Sequence, residues 1–454
     1  MQSDEWKTPA RRLLAGSSFC TLHSALCTSM KIHIKNGRVI DPKNRVDAQR
    51  DVFIAAGKIV AIGAAPNEFT ANRAIDASGM IVCPGLVDLA ARLREPGFEY
   101  MATLESEMEA AIAGGVTSLS CPPDTDPPLD EPGLVEMLKF RAKNLNQAHV
   151  YPVGALTEGL KGARLTEMAE LRDAGCIAFS QADAPLTDNH VLLCALQYAA
   201  TFGFCVWLRP QDATLARNGV AHDGQVATRL GLPAIPVCAE TVALSTILLL
   251  ARETGARVHL CRLSSAEGVN MVRHAKQTGV PVTCDIAIHH AHLSEMDVGY
   301  FDPNCHVTPP LRSQRDRDAL RQGLADGTVD AVCSDHTPVD EDAKQLPFDE
   351  AETGATGLEL LLPLTLKWAE ESSVALPAAL ARITCDAARI LGIDAGHLSS
   401  GAAADICVFD PECYWKIEPA ALRSQGKNTP FLGFELKGKV RYTLVEGQIV
   451  YEAK

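Results

Sequence analysis

The chain has 454 residues, of which 47% are hydrophobic and 22% are charged, proportions that are usual for a soluble globular protein. This length exceeds one average domain but suits a single large barrel with a small appended domain. The 42 Lys and Arg residues against 56 Asp and Glu residues give a net charge of −14, which argues against nucleic acid or an anionic membrane surface as a partner.

The cysteines indicate a reducing compartment. There are 15 of them, an odd number, and no two have Cys-x-x-Cys spacing. Most lie in apolar runs, where cysteine behaves as a small buried hydrophobic residue rather than as a disulfide partner or a zinc ligand. We therefore expect a cytoplasmic protein, and without a run of 18 apolar residues we expect no transmembrane helix.

The first 29 residues differ from the rest of the chain. Arg11-Arg12 precede a stretch rich in Ser, Cys and Ala, but His23 and several serines interrupt what would be the apolar core of a signal peptide. A disordered extension or a non-native upstream start is the better interpretation of residues 1–29, because Met30-Lys31-Ile32 opens directly into a strand pattern.

Both ends of the remaining chain predict short β-strands. Residues 30–80 alternate apolar and polar side chains between Asn-Gly and Gly-Lys turns, which is typical of a small antiparallel sheet. Residues 396–454 contain similar segments, such as 404–410 and 440–451. We expect the two ends to form one β-sandwich beside a central domain.

The central region, residues 81–395, alternates strand and helix patterns. The eight candidate strands are Ile81–Val87, Val116–Ser120, Val150–Val153, Ile177–Ser180, Phe204–Leu208, Arg257–Cys261, Val280–Cys284 and Val329–Ser334. Eight strands with intervening helices predict a (β/α)8 TIM-like barrel. A doubly wound open sheet is the alternative, but no Gly-x-Gly-x-x-Gly motif follows a strand.

In such barrels the reacting groups lie at the C-terminal ends of the strands, so the residues found at these ends indicate the function. The first strand leads into residues 88–97, Asp-Leu-Ala-Ala-Arg-Leu-Arg-Glu-Pro-Gly, and the eighth leads into residues 333–338, Cys-Ser-Asp-His-Thr-Pro. Further motifs are Gly114-Gly115-Val116-Thr117, Pro309-Pro310-Leu311-Arg312 and Gly354-x-x-Gly357-Leu358-Glu359. On these motifs the chain resembles the dihydroorotase branch of the cyclic amidohydrolases over nearly its full length.

The resemblance implies a catalytic metal, but most of the matching positions carry other residues. Histidine ligands of the family match Ala90, Arg92, Arg209 and Arg262, a ligand aspartate of one branch matches Gln181, and Asp335 matches the ligand that is also the general base. Alanine has no donor atom, and arginine cannot lose its proton to bind a metal. A dication and a guanidinium about 4 Å apart repel by about 8 kcal/mol at an effective dielectric of about 20. The sequence therefore predicts that zinc is lost and that no cofactor is bound.

Other residues offer alternatives for a site. Asp183 lies close enough to Gln181 to restore a carboxylate, and clustered histidines at 289, 290 and 292 favour metal binding by composition, although packing is the better interpretation. In the substrate pocket of the family, Arg94 is retained, while Asp124 replaces an asparagine and would repel a carboxylate substrate.

Three functions follow from these observations. The first is a catalytically inactive structural subunit, since the resemblance extends to the dihydroorotase-like chain that pairs with the aspartate transcarbamoylase catalytic chain in a large hetero-oligomer of some bacteria. On this hypothesis the chain is not an enzyme, and Asp335 is vestigial. The second is a cyclic amidohydrolase with an altered site, either metal-dependent or needing no metal. The third is a ligand-binding module, whose arginine-rich barrel mouth binds an anion. The better interpretation of these arginines is that one of them occupies the metal position and pairs with Asp335, whose charge it neutralises.

Overall fold

The computed structural model describes residues 30–453, so the predicted extension at residues 1–29 lies outside the described part of the chain. The N-terminal strands are β1 (Lys31–Lys35), β2 (Arg38–Asp41), β3 (Val46–Gln49), β4 (Val52–Ala55), β5 (Lys58–Ile62), β6 (Arg73–Asp76) and β7 (Ile81–Pro84). The C-terminal strands are β18 (Ile406–Lys416), β19 (Glu435–Val445) and β20 (Gln448–Glu452).

These strands form two sheets from both ends of the chain. One has the order β5-β4-β1-β6, and the other has the order β20-β19-β18-β7-β2-β3. Alternating apolar side chains of the two sheets share one buried core, which includes Ile32, Ile54, Val82 and Val408. The predicted β-sandwich is therefore present.

The central region forms an eight-stranded parallel barrel. Its strands are β8 (Leu86–Asp88), β9 (Val116–Cys121), β10 (His149–Ala155), β11 (Ala178–Ser180), β12 (Cys205–Leu208), β15 (Arg257–Leu260), β16 (Val282–Ala287) and β17 (Ala331–Cys333), and a separate pair is formed by β13 (Ala221–His222) and β14 (Ala234–Ile235). A parallel bridge between Ala91 and His336 joins the last strand to the first, just beyond their ends. The predicted (β/α)8 fold class is confirmed.

Eleven α-helices occur in residues 30–453. They are α1 (Leu104–Ala113), α2 (Pro132–Leu145), α3 (Met168–Ala174), α4 (Asn189–Phe202), α5 (Gln225–Leu230), α6 (Val237–Thr254), α7 (Ala266–Gln277), α8 (Gln314–Asp326), α9 (Leu361–Glu371), α10 (Leu376–Arg382) and α11 (Cys385–Leu391). Local sequence sets several boundaries: Thr103 and Ser313 begin α1 and α8 with capping boxes, and left-handed Gly203 ends α4. None of these helices is long and apolar enough to cross a membrane.

The first predicted strand is wrong in its extent. Residues 81–87 form two strands, because the chain changes partners at Pro84-Gly85: β7 pairs with β18 in the six-stranded sheet, whereas β8 pairs with β9 in the barrel. Proline has no N–H for a continuous ladder. A Cβ at Gly85 would lie only 2.1 Å from the hydroxyl of Thr117, so only glycine fits at this crossing.

Candidate functional site

Arginines and aspartates from six barrel strands meet at the C-terminal end of the barrel. Arg92 follows β8, Asp183 follows β11, Arg209 follows β12, Arg262 follows β15 and Asp335 follows β17. Asp124, after β9, completes the group and accepts from Arg92 Nε at 2.8 Å. We call these six residues the ion-pair network.

Asp335 lies at the centre of the barrel mouth with its side chain only 6% exposed. Its Oδ1 accepts from Arg262 Nη1 at 2.9 Å and lies 3.4 Å from Arg92 Nη1. Arg92 Nη1 also donates to the hydroxyl of Thr337 at 2.8 Å. Asp335 and Arg262 both have a positive φ, at 47° and 55°, which is uncommon outside glycine and clusters at functional sites.

Asp183 is the residue that connects the network. Its carboxylate accepts from Arg92 Nη2 at 2.7 Å, from Arg262 Nη2 at 2.5 Å and from Arg209 Nε. Gln181, which sequence matching placed at a ligand position, lies outside the network and contacts the Thr157 hydroxyl at 2.9 Å. The carboxylate at this strand end therefore belongs to Asp183, two residues further along the loop, and it pairs with arginines.

The charges in the network shift the pKa values of its members. Burial acts to raise the pKa of Asp183, but the charges of Arg262, Arg209 and Arg92 outweigh it and hold that pKa below the usual range. The pKa of Asp335 is raised, because desolvation outweighs the attraction of Arg262 and Arg92. Asp335 thus binds a proton more readily than an ordinary aspartate does.

Arg94 is the cation that the network does not neutralise. Its Nε donates to the carbonyl of Pro338 at 2.8 Å, and no carboxylate of the described residues forms an ion pair with it. Burial and then the nearby charge of Arg92 lower its pKa. Together with Thr337, Asp335 and Glu352, it lines a cavity of about 160 Å³ that opens above the network. We call this the mouth cavity.

The three clustered histidines make other contacts. Nε2 of His290 lies 3.1 Å from the carbonyl of Pro309, and Nε2 of His292 lies 2.9 Å from the carbonyl of Leu364. His289 is buried, and desolvation followed by the neighbouring His290 lowers its pKa well below the usual value. Within residues 30–453, no group of three or more His, Cys, Asp or Glu side chains lies close enough together to hold a metal ion.

The residues present do not fit the metal that the family resemblance implies. Ala90 offers no lone pair, and the guanidinium groups of Arg92, Arg209 and Arg262 are cations without acceptor atoms. Each carboxylate of the network is already bound by at least one of these arginines. An open zinc site needs about three protein ligands and a water, which this donor set does not supply.

The structure corrects one expectation about the site and adds one residue that the sequence did not indicate. Asp124 was expected to repel an anionic substrate, but its pairing with Arg92 offsets its charge. Asn428 was not considered, although its side chain accepts from Val339 N–H at 3.0 Å and donates to the carbonyls of Thr337 and Gly354 at 2.9 and 3.0 Å. It thereby fixes the loop that carries Thr337 and Pro338, and no local motif indicated this long-range contact.

Known proteins match this chain over nearly its full length. The family profile described as "Dihydro-orotase-like" matches residues 79–268, and that described as "Amidohydrolase family" matches residues 225–450. A "Dihydroorotase-like protein" of Pseudomonas aeruginosa is 46% identical over 93% of this chain and 100% of its own length. A "Dihydroorotase" of Geobacter sp. strain M21 is 42% identical over 93% of this chain and 100% of its own length.

The solved structures agree on the fold. The L-hydantoinase (dihydropyrimidinase) of Arthrobacter aurescens superposes with a TM-score of 0.83 at 25% identity, covering 93% of this chain and 96% of its own.

These findings overturn one prediction. The hypothesis that the chain is not an enzyme is wrong: relatives 41–42% identical over 93% of the chain are named dihydroorotase, and a solved neighbour is a hydantoinase. Such names belong to cyclic amidohydrolases. The arginines had been taken as evidence against any activity, but they exclude metal ligation at those positions and do not by themselves exclude chemistry by other groups. On its full-length relatives, its family profiles and its fold, the chain belongs to the dihydroorotase-like family of amidohydrolases.

Proposed function

We propose that this chain is a cyclic amidohydrolase of the dihydroorotase class, and that it opens or closes the C–N bond of a cyclic amide that carries a carboxylate. The observation that carries the proposal is the unpaired guanidinium of Arg94 in the mouth cavity, beside the buried carboxylate of Asp335. Arginine suits bidentate binding of a carboxylate. A substrate anchored there would place its ring over the ion-pair network. Relatives named dihydroorotase support the substrate class.

The proposed reaction uses groups of this chain and no metal. Asp335 would take a proton from a water molecule, whose oxygen attacks the ring amide carbon. The negative charge that develops on the carbonyl oxygen would be stabilised by the N–H donors of Arg262 and Arg92. The ring C–N bond then breaks, and the proton passes from Asp335 to the leaving nitrogen. Ring closure is the reverse of these steps. The raised pKa of Asp335 suits proton transfer in both directions.

The test is turnover by untagged protein that has been treated with a chelator and dialysed. Interconversion of dihydroorotate and carbamoyl aspartate is followed by chromatography. We expect Asp335→Asn to lower kcat/KM by a factor of about 10²–10⁴. Arg94→Gln is expected to raise KM more than it lowers kcat, and Arg94→Lys to restore part of the binding. Turnover that survives unchanged in Asp335→Asn, or that is absent from the native chain, would refute the proposal.

We also propose that the chain assembles with the aspartate transcarbamoylase catalytic chain into a large hetero-oligomer in the cytoplasm. Support comes from the ion-pair network, which joins the ends of six barrel strands through arginine–carboxylate pairs. These ion pairs stabilise the centre of the barrel, so that the chain can act as a rigid subunit of an assembly. The 13 described cysteines are all free, which suits a reducing compartment. This proposal does not depend on the first one.

Co-expression tests the assembly directly. The two chains are purified through a tag on the transcarbamoylase, and the mass of the product is measured by light scattering. We expect both chains to elute together at a mass well above that of either one alone. Separate elution of the two chains at micromolar concentration would contradict the assembly.

A further inference from the structure

Asp335, the general base of the proposed reaction, stands on a strained turn. Its φ of 47° lies in the left-handed region that residues other than glycine seldom adopt. The turn follows β17 at the point where the barrel closes, since His336 forms the bridge to Ala91. A residue stays in such a conformation only where its surroundings fix it. The residues on either side of Asp335 therefore need strong contacts of their own.

On the N-terminal side of Asp335, the carboxylate of Asp88 binds Ser334. Asp88 Oδ1 accepts from the N–H of Ser334 at 2.7 Å, and Asp88 Oδ2 accepts from its hydroxyl at 2.5 Å. Both residues are fully buried. Hydrogen bonds to an ionised carboxylate are about twice as strong as bonds between neutral groups. This side of the turn is therefore fixed to the end of β8.

On the C-terminal side, Glu107 of α1 binds His336. The Nε2 atom of His336 contacts Glu107 Oε2, and its Nδ1 atom accepts from the N–H of Gly357 at 3.1 Å. Because Nδ1 is the acceptor, the ring proton is on Nε2 and is donated to Glu107. The backbone of His336 also donates to the carbonyl of Ala90 at 3.0 Å and accepts from the N–H of Arg92 at 2.9 Å.

Glu107 is a buried carboxylate outside the ion-pair network. It also accepts from the hydroxyl of Ser424 at 2.7 Å and from the N–H of Gln425 at 3.0 Å. Burial acts to raise the pKa of Glu107, but the hydrogen bonds from His336 and Ser424 outweigh it and lower that pKa. Glu107 is therefore ionised at neutral pH. Of its donors, His336 is the one that belongs to the turn of Asp335.

We propose that Glu107 is a positioning residue for Asp335 and that it acts through His336. The hydrogen bond between them holds the imidazole ring and the backbone of the turn, so that Asp335 Oδ1 stays 2.9 Å from Arg262 Nη1. The catalytic consequence rests on the proposed function, since a general base must lie within hydrogen-bond reach of the water that it activates. A misplacement of about 1 Å costs up to about 100-fold in rate.

Two substitutions remove this hydrogen bond from opposite ends. Glu107→Leu has a similar size and no acceptor, and His336→Asn keeps an acceptor for Gly357 but has no group at the Nε2 position. We expect each to lower kcat by about 10- to 100-fold and to change KM less than about threefold, because Arg94 is untouched. The double variant should lose no more than either single variant, since both remove one interaction.

His336→Gln is the conservative variant. Its amide N–H lies near the position of Nε2 and restores a donor to Glu107, so we expect it to recover most of the kcat that His336→Asn loses. Thermal unfolding of every variant checks the fold. If Glu107→Leu does not fold, the comparison of His336→Asn with His336→Gln gives the same test.

Asp330→Asn is the structural control. Asp330 is buried at the opposite end of β17, where its Oδ2 accepts from the N–H of Cys284 at 2.8 Å. We expect this substitution to lower the thermal midpoint but to leave kcat unchanged, because Asp330 has no contact with the turn of Asp335.

Crystal structures of His336→Asn and Asp330→Asn separate this inference from the proposed function. We expect Asp335 Oδ1 to lie more than about 3.5 Å from Arg262 Nη1 in His336→Asn, and to stay at 2.9 Å in Asp330→Asn. If the native chain shows no turnover, the proposed function fails, and the place of Asp335 in these structures still decides the positioning role. An undisplaced Asp335 in His336→Asn, or a loss of kcat in His336→Gln or Asp330→Asn as large as in His336→Asn, would overturn the proposal.

Discussion

Asp183 shows how one side chain determines the chemistry of the barrel mouth. It brings together Arg92, Arg209 and Arg262, which stand on three different strands and would otherwise repel one another. Its side chain is 32% exposed, whereas those of the three arginines are at most 9% exposed. The buried charges therefore depend on a carboxylate that is itself in contact with solvent.

Replacing this carboxylate by an amide should destabilise the protein. In Asp183→Asn, three buried guanidiniums lose their shared anion, and the new amide N–H groups face other donors. We expect the free energy of unfolding to fall by about 2 kcal/mol, less than for a fully buried pair because water screens the exposed edge. Urea denaturation measures it. Asp173→Asn, at an exposed aspartate that forms no ion pair within residues 30–453, is the control and should change stability by less than about 0.5 kcal/mol. Equal effects of the two substitutions would contradict the role of the network.

At the level of elements, the segment between β18 and β19 positions the mouth from outside the barrel. Ser424 donates to the buried carboxylate of Glu107 at 2.7 Å, and Glu107 in turn contacts His336 beside Asp335. Asn428 binds the loop after β17 on both sides of Pro338, whose carbonyl accepts from Arg94. The C-terminal segment therefore fixes the orientation of the proposed carboxylate anchor.

Truncation of Asn428 tests this element. Asn428→Ala leaves two carbonyls and one N–H without partners in a site where the side chain is buried. We expect a loss of about 2 kcal/mol in unfolding free energy, since an unsatisfied buried polar group costs about 1–3 kcal/mol. We also expect an increase in KM for the proposed substrate. Asn144→Ala, at an exposed helical position, serves as the control. Unchanged stability in Asn428→Ala would show that water replaces the amide.

The sequence allowed most elements to be predicted, but not their side-chain partners. All eight barrel strands were recognised, because each is a short apolar run that a helix pattern follows. The polar helix α8 gives a weak pattern in the sequence, since its residues carry many charges and few apolar positions. The sequence motifs showed at each position that a ligand histidine of the family is replaced. The contacts of Asp183 with three arginines, in contrast, depend on the path of the loop after β11 and could not be predicted. Asn428 contacts residues about 90 positions away, and only the tertiary fold shows this.

For the whole molecule, the ion-pair network leads to a prediction about metal removal. If the barrel mouth is stabilised by arginine–carboxylate pairs, chelation should not change its stability. We expect untagged protein to contain far less than one zinc per chain by elemental analysis, and its thermal midpoint to stay the same with and without EDTA. A chelator-induced fall of several degrees that added zinc reverses would mean that a metal contributes to folding.

Stability should also fall as the pH decreases from about 6.5 to 4. Desolvation lowers the pKa values of His290 and His292 to about 4, against about 6.5 in an unfolded chain. The unfolded state therefore binds more protons in this window, which favours unfolding by up to about 3 kcal/mol for each histidine. Burial acts in the opposite direction on Asp88, whose pKa of about 6 makes the folded state take up a proton. The raised pKa of Asp335 acts in the same direction as that of Asp88, and the lowered pKa of His289 adds to the effect of the two histidines. Three histidines outweigh these two carboxylates, so the net slope remains toward unfolding.

His292→Gln isolates one of these contributions. Glutamine keeps a donor for the carbonyl of Leu364 but does not titrate. Urea denaturation of both proteins between pH 7.5 and 4.5 gives the unfolding free energy at each pH. We expect the loss of stability in the variant to be smaller, with a slope reduced by up to about 1.4 kcal/mol per pH unit, the value for one proton. Parallel curves for the two proteins would mean that His292 is protonated equally in the folded and unfolded states.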